Sequence, residues 1–302
     1  MFILVFGITQ PATFLSPLSL SLVLSNQVTI GMLSLAVLLP LAAGAFDVSV
    51  GANLAVGVAL LTWLSVNTHI NLLAASLICM VACAAVGALN GFIVVRLGVH
   101  SFIATLGVSQ VLNAAILLIS GNQQIAGSFP QWFQNLAQGQ LFGIGLNAYY
   151  LFALAAILWY VLEHTPVGRY VFATGGNLEA ARLAGVPTSR VIWATFIGSG
   201  TICGLAAVVF SATATVFSTS FGPPLLFPAF AAVFFGSTQI KGRLNVWGTL
   251  LAMYVLAIGV DGVQLSSAGG EYWVTPLLNG VALLAAVILA TRRRTRGGAS
   301  FR

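Results

Sequence analysis

Nine stretches of the chain, 27–45, 48–66, 71–95, 101–119, 146–162, 191–213, 225–237, 245–262 and 273–290, run almost free of charged residues. Most approach the ~20 residues a helix needs to cross the hydrocarbon core of a bilayer. None alternates apolar with polar side chains as the strands of a membrane barrel do. Only 5% of the 302 residues are charged and 59% are hydrophobic, whereas soluble domains carry about 25% charged residues. So much apolar surface cannot be hidden behind a polar exterior. The sequence therefore specifies an all-α, polytopic transmembrane helical bundle, with 1–302 as one transmembrane domain. The run at 225–237 is too short to span, so some broken or short helices are expected.

The opening MFILVFGI, residues 1–8, covers about 12 Å as helix, well short of the ~30 Å core. It has no charged leader and no small-residue cleavage site, which argues against a signal peptide. Two readings stand: the chain starts inside a first span that is incomplete at 1–8, or this is a re-entrant or interfacial segment. Counted as the end of a first span, it brings the total to ten, with both termini inside. All eleven basic residues then fall on the cytoplasmic side. They are Arg96, then Arg169, Arg182 and Arg190 in the 163–190 loop, Lys241 and Arg243 in the 238–244 turn, and five arginines in the 291–302 tail. The external loops near 120–145, 214–224 and 263–272 carry none. This asymmetry sets the orientation. The arginine tail directly follows an apolar run, so it reads as a topology anchor at anionic lipid, not as a nucleic-acid site.

Little here resembles catalytic machinery. There is no HExxH and no GxxxxGK[ST] phosphate loop, so ATP hydrolysis is not expected of this chain. Cys79, Cys83 and Cys203 sit in apolar stretches, where packing is a simpler role than metal binding or a disulfide. Acidic residues near spans are limited to Asp47 and Asp261, which disfavours an ion-coupled carrier. Asp47 in FDVSVG, 46–51, can cap a helix or line a pathway. Asn90 in GALNGFIVV can bind helices together or meet a passing hydroxyl. Asp47, Ser49, Asn90, Phe102, Thr105 and Asn113 are the candidates for a translocation pathway or a helix break. GNQQIAGSFPQWFQNLAQGQ, 121–140, is uncharged. It suits contact with a neutral polyhydroxylated ligand or its carrier protein, or an amphipathic interfacial helix anchored by Trp132 and Phe133. Gly51, Gly57, Gly87, Gly91 and Gly280 read as close helix contacts.

One stretch stands apart. In GNLEAARLAGVPTSR, 176–190, Asn177 can cap a helix whose first turn holds Glu179, where the helix dipole favours a carboxylate. Gly185 and Pro187 end it. A helix over 178–184, about 10 Å long, is too short to be stable alone and must be held against something. Glu179 can also pair with Arg182 at i+3. A capped connector and a lever seated in a partner both fit.

Glu179-Ala180-Ala181 followed by Gly185 resembles the coupling loop of ABC importer permeases, and the whole of 168–186, GRYVFATGGNLEAARLAGV, resembles that loop in the ribose/xylose-type monosaccharide permeases. FDVSVG at 46–51, LNGFIVVRLGVHSFIATLG at 89–107 and FGSTQIKGRLNVWGTLLA at 235–252 resemble further blocks of that family, in order along nearly the whole chain. The chain departs from the pattern in its short first span, in Ala45-Phe46 before the aspartate, and in a glycine-poor 237–242. The resemblance implies an inner-membrane transport subunit of a bacterial ATP-driven importer. Substrate would be delivered by an extracytoplasmic sugar-binding protein and moved by alternating access. Implied partners are a second permease subunit, expected as a homodimer, and cytoplasmic ABC ATPase subunits. ATP and Mg would be bound by the ATPase, with no cofactor in this chain, and a small neutral sugar would be the cargo. ATPase coupling would fall to Gly176, Asn177, Glu179, Ala180, Ala181, Arg182 and Gly185. An ion-coupled secondary carrier or channel for a small neutral solute is the competing class.

Overall fold

The computed structural model describes residues 17–68, 70–239 and 243–266, with scattered helical positions between 276 and 288. The 1–8 run, His69, Lys241, most of the 273–290 run and the 291–302 tail lie outside the described residues.

The first described span starts earlier than its apolar run suggests. Helix α1 (Pro17–Asn26) is separated from α2 (Val28–Ala42) only by Gln27. Serines between the leucines of α1 break the apolar run at 27, yet Ser21 donates to the Gly143 carbonyl at 2.6 Å, so its hydroxyl need not be left unpaired in lipid. Five further helices are long and apolar enough to cross a membrane: α3 (Val50–Asn67), α4 (Leu72–Arg96), α5 (Ser101–Ser120), α7 (Leu146–His164) and α10 (Thr188–Thr213). Leu73, Leu77 and Val81 of α4 and Ile103, Val111 and Leu118 of α5 are exposed, as expected of faces that meet lipid.

The α5–α7 connection holds β1 (Ile125–Ala126), α6 (Gln131–Gln138), β2 (Gln140–Leu141) and β3 (Ile144–Gly145). The amphipathic helix expected here is α6, but Phe133 is not one of its membrane anchors. It is buried at 1% exposure and stacks on Phe129 at 5.3 Å, while Trp132 stays outside. The 163–190 loop holds two helices where one was expected: α8 (Pro166–Gly176), started by a proline in its first turn, then α9 (Leu178–Leu183). Beyond α10, β4 (Val216–Phe217) pairs antiparallel with β1. A 3-10 turn at Pro223–Leu225 leads into α11 (Leu226–Gln239), followed by α12 (Val246–Ser266). At 14 residues, α11 spans about 21 Å, so it is a short helix as its run implied.

Helix α10 is the axis of the bundle, packing most extensively on α4 and also on α2, α3 and α6. Gly87 on α4 meets Gly200 on α10, Gly204 on α10 lies against Met80 on α4, and Gly91 on α4 takes the Trp193 ring. A methyl on Gly87 would collide with the Phe196 carbonyl, and one on Gly200 with the Cys83 carbonyl. Small residues four apart on both helices bring the backbones together, which is how helices gain packing energy in lipid. Gly51 and Gly57 are also contact positions, but a methyl on Gly280 would meet no described atom within 4 Å. The cysteines are buried, free and used in packing. Their thiols approach the carbonyls of Gly57, Asn53 and Val50 at 3.3, 3.5 and 3.6 Å respectively.

Candidate functional site

The helical path is interrupted at 43–49. Pro40 cannot donate within the last turn of α2, and its carbonyl accepts from both Ala43 and Ala45. Gly44, at φ +83°, turns the chain. The N–H groups of Phe46 and Val48 then donate to Ser101 Oγ and Thr105 Oγ1 on α5, each at 3.0 Å. Two side-chain hydroxyls thus supply the partners that a helix would otherwise have provided.

Asp47 and Ser49 engage other helices. Asp47 Oδ1 accepts from the Ser49 N–H at 3.1 Å and the Ser49 hydroxyl at 2.6 Å. Asp47 Oδ2 accepts from Ser199 Oγ of α10 at 3.0 Å. Asn90 Nδ2 of α4 donates to Ser49 Oγ at 2.8 Å, and Asn90 Oδ1 is buried without a partner. The carboxylate, 3% exposed, therefore rests on three neutral donors and the positive end of α3. This one residue ties the break to α3 and α10, and through Ser49 to α4.

A second interruption meets the first. Gly222, at φ +104°, precedes the 3-10 turn at 223–225 that feeds α11. A methyl on Gly51 would lie 2.7 Å from the Gly222 carbonyl oxygen, and one on Gly222 2.5 Å from the Gly51 oxygen. Phe46 and Phe230 stack beside this crossing with centroids 6.4 Å apart. Non-helical backbone at membrane depth is tolerable only where protein or a water-filled cavity surrounds it, and here each break covers the other.

The α8–α9 segment also reaches the first break. Gly175 fits against Ala42 and Gly44 so closely that a methyl there would strike the Ala42 carbonyl. Asn177 caps α9, its Oδ1 accepting from the Ala180 N–H at 3.0 Å. Helix α9 stops at Leu183, one residue short of the expected end. The Gly185 N–H bonds the Arg182 carbonyl and the Val186 N–H the Ala181 carbonyl, both at 3.0 Å. With Gly185 at φ +82°, this is the Schellman stop that its glycine implied. Ala181 packs inward, while Glu179, Ala180, Arg182 and Leu183 face outward, Leu183 at 87% exposure. Glu179 and Arg182 form no ion pair with each other. Gly176 is exposed at the end of α8.

The remaining pathway candidates scatter. Thr105 sits at the break, but Phe102 is exposed and Asn113 is half-buried farther along α5. Asp261 lies within α12. Sequence reading missed Ser101, Ser199 and Gly222. Their only signal was a small polar or glycine residue in an apolar setting, which does not name a partner. On the face formed by α1, α6 and the end of α10, a cavity of about 310 Å³ is lined by Ser21, Ser25, Asn26, Thr29, Gln138 and Asn147 among others, with no charged side chain.

A family model described as branched-chain amino acid transport system / permease component matches residues 19–292. The chain belongs to this family. The permease is a multi-pass protein of the bacterial inner membrane. A fructose import permease protein of Rhizobium meliloti is 30% identical over 297 residues, covering 95% of the permease and 81% of the relative. A ribose import permease protein of Bacillus subtilis (strain 168) is 28% identical over 293 residues, covering 96% and 90%. An autoinducer 2 import system permease protein of Photorhabdus laumondii subsp. laumondii is 27% identical over 293 residues, covering 95% and 86%. No solved structure matches the permease.

Proposed function

We propose that the permease is the membrane-spanning subunit of an ATP-driven, binding-protein-dependent importer that moves a neutral monosaccharide by alternating access. The observation that carries this reading is the attachment of the capped α8–α9 hairpin to the helix break through Gly175, Ala42 and Gly44. An outward-facing helix of six residues gains a reason to exist when a partner grips it. The backbone contact of the preceding helix α8 with the break, at Gly175, offers that grip a short route into the bundle. The grip belongs to a cytoplasmic ATPase, which binds ATP and Mg and hydrolyses the nucleotide, while the permease performs no covalent chemistry. A second copy of the permease completes the pore, and an extracytoplasmic receptor supplies the solute. A sugar is favoured over an amino acid by the fructose and ribose named for two relatives and by the uncharged hydroxyls and amides of the 310 Å³ cavity.

The test is reconstitution of the permease with the ATPase and receptor encoded beside it. Uptake into proteoliposomes should require both ATP and receptor, and calorimetric titration of the receptor should show binding of a pentose, hexose or deoxy sugar. Receptor binding of a branched-chain or charged amino acid, and of no sugar, would overturn the substrate. Uptake by the permease alone down an ion gradient would replace the importer with a secondary carrier.

A further inference from the structure

Arg243 precedes α12 and stands where three elements meet. Its guanidinium Nη2 donates to Glu163 Oε2 at 2.6 Å, in the last turn of α7. The same group lies 4.5 Å from the ring centroid of Phe172 on α8. Its carbonyl accepts from Asn245 Nδ2 at 2.9 Å, and Asn245 Oδ1 in turn accepts from the Gly248 N–H in the first turn of α12. The arginine is thus fixed to the start of α12 by its backbone and to α7 and α8 by its side chain. Both side-chain contacts suit a planar cation, since guanidinium can bond a carboxylate while lying over an aromatic face.

Helix α12 packs tightly on α11. Gly236 of α11 and Gly248 of α12 face each other so closely that a methyl on either would lie 2.5 Å from the other's backbone. Helix α11 begins just after the Gly222 crossing, and its Phe230 stacks on Phe46 beside Asp47. Arg243 therefore bridges the α8–α9 hairpin and a tightly packed helix pair whose other end rests on the 43–49 break.

We propose that Arg243 is a positioning residue through which displacement of the α8–α9 hairpin is passed to the α11–α12 pair and so to the second interruption at Gly222. This rests on the importer reading and adds a second route to the direct contact at Gly175. A contiguous set of contacts is not itself coupling, so the test measures coupling. Complexes of the permease with its ATPase and receptor are compared in proteoliposomes for bound ATPase, receptor-stimulated hydrolysis, and solute taken up per ATP hydrolysed. Arg243→Gln and Glu163→Gln are each expected to leave bound ATPase near normal and to lower uptake per ATP by about fivefold or more, the range of ordinary site-to-site coupling. The double variant should lose less than the two single losses combined, because the Arg243–Glu163 bond is counted in both. Arg243→Lys should fall between, keeping the charge but losing the stacked plane. If Arg243→Gln fails to assemble, Arg243→Lys and Glu163→Gln carry the comparison. Normal uptake per ATP in Arg243→Gln, or in both Arg243→Lys and Glu163→Gln where these decide, overturns the inference and leaves the importer reading intact. Absence of ATP-dependent uptake in the unmodified complex would instead remove the importer reading.

Discussion

The bond between Ser199 and Asp47 joins α10 to the helix break across 152 residues of sequence, and its strength can be isolated. The carboxylate is buried at 3% exposure, has no Lys or Arg partner among the described residues, and leans on three hydrogen bonds. Hydrogen bonds to a charged group contribute about 1.5–3 kcal/mol each. Ser199→Ala removes one of the three donors while leaving the charge in place, so it should destabilise the permease by about 1.5–3 kcal/mol. Asp47→Ala removes all three bonds, but it also removes the cost of burying a charge. Its net effect should therefore be smaller than three bonds would suggest. With the carboxylate gone, Ser199→Ala should cost little more, since a helical serine can bond a carbonyl of its own helix. The double-mutant cycle should give a coupling energy of about 1.5–3 kcal/mol. Reversible unfolding by titration with a denaturing detergent in mixed micelles provides the free energies. Additivity within about 0.5 kcal/mol, the behaviour of independent sites, would show that the hydroxyl does not support the carboxylate.

Gly51→Ala and Gly222→Ala should each cost about 1–3 kcal/mol by forcing backbones apart, whereas Gly107→Ala, with nothing within 4 Å, should be near neutral; the same titration ranks them, and equal values for all three would refute the crossing. Asn177→Ala should cost about 0.5–2 kcal/mol locally by uncapping α9. Gly185→Val strains the φ of +82°; both variants should reach the membrane in normal amounts yet lose receptor-stimulated ATP hydrolysis and uptake together. Retention of both activities would make α9 a capped connector. In a background lacking Cys79, Cys83 and Cys203, a cysteine at the exposed Ser128 should react with an impermeant thiol reagent from outside, and one at the exposed Ser189 only from inside. Reversed labelling would invert the topology.

Local chemistry is legible in the order of the residues alone. Hydrophobicity over some twenty residues defines a span wherever it occurs, so α3, α4, α5 and α7 begin and end within two residues of their apolar runs. The Asn177 cap and the Gly185 stop are equally local, since each satisfies backbone groups only three to five residues away. Helix α8 is hidden because it is not an apolar run, and α1 because its serines interrupt the leucines and Ser21 finds a partner the sequence does not name.

What the sequence could not express is which face meets which. Helices such as α2 and α3 are apolar around their whole circumference. They therefore lack the polar and apolar stripes that orient a helix at a soluble surface, and lipid itself gives an apolar face no preference for another helix. Close packing and a few paired polar groups decide instead. The meeting of Asp47 with Ser199, Gly51 with Gly222, and Arg243 with Glu163 and Phe172 exists only once the bundle is assembled.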